Sequence, residues 1–159
     1  MPKIDLSRVE KRLETVYPEP FDAAVRGRIK QKLGDAAGLS DFGVNLVVLK
    51  PGSASSQRHW HSEEDEFVYV ISGEVTLIED NGECVLHAGD AAGFAKNSGD
   101  GHQLVNKSDT DAVYLEIGSR VAGDSVVYSD IDMLLPNRNR PGYRFIHKDG
   151  TPYPQTKKG

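Results

Sequence analysis

His59-Trp60-His61-Ser62-Glu63-Glu64-Asp65-Glu66-Phe67-Val68-Tyr69-Val70-Ile71-Ser72-Gly73 is the stretch from which the fold of this chain can be read. Its second half is dense in β-branched and aromatic residues and stops at Ser72-Gly73, as a strand entering a turn does. Its first half places two histidines two positions apart. In a strand, residues i and i+2 share a face, so both imidazoles can reach one cation at roughly 2.0–2.1 Å. Strict alternation would send Glu66 to the opposite face. The polar run 62–65 reads as a solvated turn, however, and a turn resets the phase. Glu66, Val68 and Val70 then face inward with His59 and His61, while Phe67, Tyr69 and Ile71 face outward. Both faces of this strand are therefore apolar. The outer one needs a cover, either the N-terminal segment or a second subunit.

Working outward, short strands are expected at 44–49, 75–79, 83–87, 91–95, 102–106, 112–117 and 125–128, separated by turn residues. Asp80-Asn81-Gly82 reads as a hairpin turn, with positive φ at both turn positions. Short strands at this even spacing imply an all-β sandwich or barrel. His102 opens one of them and can be delivered as a fourth ligand by a neighbouring strand. Gln57 shares parity with the two histidines, so its amide is a candidate substrate contact. Asn106, on the His102 face, is a second candidate and otherwise a hydrogen-bonding residue of the barrel. Arg58 and Trp60 have the opposite parity and should point away. Cys84 reads as a small core residue. Upstream, residues 7–15 could form a short helix stopped by Pro18. Val25, Ile29 and Leu33 are spaced for a helix face, yet Gly27 interrupts it, and a strand over 28–33 competes.

These residues resemble the cupin superfamily. Gly52, His59, His61, Glu66 and Gly73 match its first motif; Gly89, His102 and Asn106 match its second. Ala95 replaces the usual proline of the second motif, and 96–101 place His102 two positions late. The resemblance implies a double-stranded β-helix, or jelly-roll barrel, over residues 44–118. Residues 1–43 would be an N-terminal extension packing on the barrel or a partner, and 119–159 a C-terminal extension with a basic tail. It also favours a strand over the helix at 28–33. It carries all four family metal ligands onto His59, His61, Glu66 and His102, and it implies a homodimer. The segments 33–43 and 148–153 resemble a group of single-domain bacterial cupins.

The 159 residues suit one domain, and 38% hydrophobic with 27% charged residues is ordinary globular composition. A net charge of −5 argues against a nucleic-acid binder, although six Lys/Arg and one Asp crowd residues 136–159. The lone cysteine excludes an intrachain disulfide. With no apolar signal segment and no apolar run of membrane-spanning length, the expected location is the cytoplasm, with no membrane partner.

Three imidazoles and one carboxylate suit one divalent ion, with Zn, Fe, Mn, Ni and Cu not distinguished. An octahedral ion would keep two positions for water or a chelating small molecule. The function expected is a metal-dependent enzyme on a small polar organic substrate, isomerase-like or dioxygenase-like. The alternative is a non-catalytic binding or sensing protein. No general base is assignable from the sequence.

Overall fold

The structure is a computed structural model and describes residues 3–154. Its longest strands are β2 (Phe42–Leu49), β4 (Glu66–Ser72) and β9 (Ala112–Ser119), where β-branched and aromatic residues are densest. They lie in a five-stranded antiparallel sheet of order β1-β2-β9-β4-β7, with β1 (Arg28–Lys32) and β7 (Ala91–Phe94) at its edges. A second sheet holds β5 (Glu74–Glu79) between β6 (Gly82–His87) and β8 (Gln103–Val105). A third holds β10 (Val126–Tyr128) between β3 (His59–His61) and β11 (Leu134–Leu135). The second and third sheets meet where His59 and His102 pair their backbones, at 2.9 and 3.2 Å. The fold is thus mostly strand, and the described sheets do not close into one continuous cylinder. Among the described residues no helix is long and apolar enough to cross a membrane.

Two cores result. Val47, Val68, Val70, Leu77, Leu104 and Tyr114 belong to the first, packed between the large sheet and the β5 sheet. Tyr17, Val25, Tyr128, Met133 and Phe145 belong to the second, which joins residues from both ends of the described chain around β10.

Several expectations change. Residues 7–15 form no helix; a 3-10 turn at Leu6–Arg8 is followed by extended chain. Val9 and Leu13 are too few to bury a helix face, and Leu13 stays 57% exposed. The segment instead satisfies the free edge of β1: Arg12 and Lys30 exchange backbone hydrogen bonds of 2.9 Å. Residues 28–32 are the strand expected there, and a single helical turn, α1 (Leu33–Ala36), follows. The hairpin forms at the expected place, but only Gly82 takes a positive φ, of 124°. Cys84 is exposed, because β6 is an edge strand that buries Leu86 alone. Glu64, expected in a solvated turn, is 2% exposed. Phe67, Tyr69 and Ile71 do point outward, and they are 41%, 41% and 46% exposed.

Candidate metal centre

His59 and His61 lie on β3, on one face, with ring centroids 5.1 Å apart. Glu66 opens β4 with Val68 and Val70 buried at the following alternate positions, as the turn at 62–65 requires. His102 arrives from the chain just before β8. Gly101 permits that approach: a Cβ there would lie 2.1 Å from Ser129 Oγ and 3.3 Å from the His59 nitrogen. Phe94 of β7 stacks on the His102 ring at 3.7 Å.

The result is one carboxylate oxygen ringed by three imidazoles. Glu66 Oε2 lies 2.9 Å from His102 Nε2, 3.4 Å from His61 Nε2 and 3.6 Å from His59 Nε2. The ligand atoms of His59, His61 and Glu66 fall within 4.8 Å of one another. Local acceptors orient the rings. His59 Nδ1 faces the Gln57 carbonyl at 2.9 Å, and His61 Nδ1 faces Asp124 Oδ2 at 2.7 Å. Both partners only accept, so Nδ1 carries the proton and Nε2 offers its lone pair to the centre. Electrostatics agree. Burial lowers the His59 pKa and keeps the ring neutral. Burial alone would raise the Glu66 pKa, but the surrounding imidazoles, His102 first, outweigh it and hold the group well below the usual carboxylate range. Imidazole nitrogens around an ionised carboxylate are the donor set a divalent ion needs, so these residues fit one.

A buried layer missed by the sequence reading supports the centre. Asp124, fully buried, also accepts from the Glu63 N–H at 3.0 Å. Glu64 accepts from the Val121 N–H and the Asn139 amide at 2.7 Å and from Arg138 at 3.0 Å. The Arg138 guanidinium sits 3.4 Å from both ring nitrogens of His61, over its face. No sequence spacing marks Asp124, which comes from a loop. His61, Glu64 and Asp124 form a second cluster of ligand atoms within 4.8 Å of one another.

The centre opens on a cavity of about 950 Å³ whose far wall is β1, β2 and β9. There Lys30 donates to Glu116 at 2.7 Å and Asn45 donates to the same oxygen at 3.0 Å. Burial would raise the Glu116 pKa, but Lys30 outweighs it and the carboxyl lies below its ordinary value. The charge was visible in the sequence as a glutamate sharing parity with Ala112 and Tyr114.

Gln57 and Asn106 are not among the residues lining this cavity. Gln57 precedes β3, so strand parity does not govern it, and its amide donates to the Phe21 carbonyl at 2.9 Å. Asn106 is fully buried, donates to the Leu49 and Thr110 carbonyls at 2.7 and 2.8 Å, and accepts from Ser108. Gln57→Ala should therefore leave ligand affinity unchanged and cost about 1 kcal/mol of stability, readable by urea denaturation.

Arg58 is not among the residues lining the cavity. It pairs with Asp130 at 2.7 Å and with Asp80, and donates to the Gly101 carbonyl at 3.1 Å, beside His102. The Arg58 hydrogen bond lowers the Asp130 pKa, so the pair stabilises the fold above pH about 3.9 and fades as pH falls through the lowered native value. Asp130 is 60% exposed, which screens the pair. Arg58→Ala should cost about 1 kcal/mol at pH 7 and less at pH 3, by denaturation at both.

A strand fold that converges three histidines and a glutamate on one point could hold one metal ion there. A family model for the cupin domain matches residues 45–118. A crystal structure of a sugar phosphate isomerase of the cupin superfamily from Silicibacter pomeroyi is 45% identical, with 96% of this chain and 97% of that one covered and a TM-score of 0.91. A provisionally named sugar phosphate isomerase from Acidithiobacillus ferrooxidans is 30% identical over 83% of this chain and 85% of that one, at a TM-score of 0.73. A polyketide cyclase from Streptomyces resistomycificus, 17% identical over 75% of this chain and 79% of that one, shares the fold at a TM-score of 0.62. Among curated proteins no match is found. The chain belongs to the cupin superfamily.

Proposed function

We propose that this chain is a metal-dependent enzyme that isomerises a small hydroxycarbonyl compound, a sugar phosphate. The reading takes the two walls as those of a jelly-roll barrel and His59, His61, Glu66 and His102 as the ligands of one divalent ion. The observation that carries it is the Lys30–Glu116 pair in the same cavity as the histidine–glutamate centre. Interconverting an aldose and a ketose needs a polarised carbonyl and a group that moves a proton between adjacent carbons. A bound divalent ion would supply the polarisation. Glu116 is the residue we assign to the proton: it takes one from the hydroxyl-bearing carbon beside the carbonyl and returns it to the former carbonyl carbon, while the hydroxyl proton passes to the former carbonyl oxygen. Lys30 and Asn45 hold its Oε1, which leaves Oε2 for that transfer. An oxygenase requires no such pair, so the pair favours the isomerase. The two relatives named for sugar phosphate isomerisation support the same reading.

The test is turnover of aldose and ketose phosphates by metal-loaded protein in D2O. Solvent deuterium should enter the product, and Glu116→Gln should lose about 10²–10⁴-fold in rate with its metal content unchanged. Ligand binding without turnover would make the protein a binding module; oxygen consumption would make it an oxygenase.

We further propose a cytoplasmic homodimer. The outward row Phe67, Tyr69 and Ile71 stands beside Leu115 and Ile117 of β9, and burying what remains exposed of each is worth roughly 1 kcal/mol. Of the N-terminal apolar residues Val25, Ile29 and Leu33, which could supply contacts across such an interface, Ile29 and Leu33 are half-buried, whereas Val25 is 1% exposed and committed to the second core. Light scattering at micromolar concentration should return twice the 17.4 kDa chain mass; a clean monomer would end the dimer proposal.

A further inference from the structure

Strand β1 turns three cations, Arg28, Lys30 and Lys32, toward the cavity at alternate positions, and all three line it. Two have anionic partners: Lys30 pairs with Glu116 at 2.7 Å and Lys32 with Asp35 at 3.6 Å. Arg28 forms no ion pair with any described residue; its guanidinium donates to the Ser55 carbonyl. A half-buried guanidinium that spends a donor on one neutral carbonyl keeps a charge and most of its fork of N–H groups for something else.

A second group in the same cavity is also unused. Tyr114 is 0% exposed, lines the cavity, and its hydroxyl makes no well-formed hydrogen bond to any described residue, although the Ser55 side chain lies beside it. A buried hydroxyl without a partner is costly unless a water or ligand completes it. Burial raises the Tyr114 pKa well above its ordinary value, so the group remains a phenol and can donate. The two residues are near each other by register. Tyr114 lies opposite Val47 and Val47 opposite Lys30, while Arg28 is one inward position further along β1. The intervening strand separates the backbones by roughly 10 Å, which two long side chains can close. The other arginines lining the cavity are engaged: Arg138 with buried Glu64, Arg12 with Glu10 and Arg120 with Asp35.

We propose that Arg28 and Tyr114 form the subsite that receives the anionic group of the substrate, a phosphomonoester. The assignment rests on the isomerase reading for the rest of the substrate, though not for the anion itself. A guanidinium and a phenol supply the charged fork and the neutral donor that phosphate oxygens accept. The placement also orders the substrate in the cavity. The phosphate sits against β1 and β9, and the reacting carbons reach between Glu116 and the histidine–glutamate centre.

The experiment uses inorganic phosphate and the chelator-treated full chain, with calorimetry and thermal unfolding as readouts and acetate run beside it. Wild type should bind phosphate, and more tightly than acetate. Arg28→Gln should bind phosphate at least tenfold more weakly, and Arg28→Lys, which keeps the charge, should fall between. Tyr114→Phe should bind about threefold more weakly. Its melting temperature without phosphate should be equal to or above that of wild type, since it removes an unpartnered hydroxyl. All three should load metal as wild type does. Wild-type affinity in Arg28→Gln, no phosphate binding by wild type, or equal affinity for acetate would each overturn the proposal. Arg28-dependent phosphate binding in a protein that turns over no sugar phosphate would support the subsite while removing the isomerase reading.

Discussion

Glu66→Ala, purified without a metal-affinity tag, should contain no stoichiometric divalent metal, whereas wild type should hold one ion per chain by elemental analysis. Glu66 is the hub of the centre, because a single oxygen lies between 2.9 and 3.6 Å from three Nε2 atoms. It is also the one anion in the ligand set. Removing it leaves three neutral imidazoles and a buried +2 charge with no counter-charge among its ligands, a costly arrangement. The loss should appear in stability as well. An ion present at a thousand times its dissociation constant adds about 4.1 kcal/mol to the wild-type fold, and that increment should vanish in the variant. The same comparison separates metal binding from folding: chelated Glu66→Ala should unfold below chelated wild type, because the imidazoles lose their carboxylate partner, and added metal should raise the melting temperature of wild type alone. A variant that keeps its metal would remove Glu66 from the ligand set and with it the proposed centre.

How far the sequence could be read depended on how local each determinant was. Strand periodicity exposes Glu66, Val68 and Val70 as one face, and the polar run before them explains the change of phase. Both hold in the structure, since His61 is 4% exposed and Val70 fully buried on the cavity side. The same parity failed for Gln57 because β3 begins at His59, two residues later, and periodicity has no meaning before a strand begins. What Gln57 does supply is a backbone carbonyl to His59 Nδ1, a contact independent of side-chain identity and so invisible in sequence. Residues 7–15 misled for a related reason. Their polar composition fits a short helix, but the decisive partner is the free edge of β1, remote in sequence. Glu64 reads as a solvated acid among acids. Its burial comes from Arg138 and Asn139, about 75 positions away. Residue types at short spacing therefore revealed the histidine–glutamate set. The acids and cations that surround it are brought together by topology alone.

Asp124 is where that topology should matter most. Asp124→Ala should lose about 10–100-fold in metal affinity, although Asp124 would touch no ion. The carboxylate accepts from His61 Nδ1 at 2.7 Å and from the Glu63 N–H at 3.0 Å, fully buried. With Ala, the ring loses the acceptor that keeps its proton on Nδ1, and two buried donors go unpaired, at about 1–3 kcal/mol each. Asp124→Asn is the sharper variant because it changes no volume. If its amide nitrogen faces His61, Nδ1 must accept, the proton moves to Nε2, and the lone pair aimed at the centre is gone. If the amide turns over, its nitrogen faces the Glu63 N–H, and two donors oppose each other. Either orientation frustrates one contact, so Asn should bind metal no better than Ala despite its shape. Titrating chelated protein with zinc against a competing fluorescent chelator measures both variants. Wild-type affinity in Asp124→Asn would mean that His61 keeps its orientation through Arg138 and Glu64, and that Asp124 is a loop anchor.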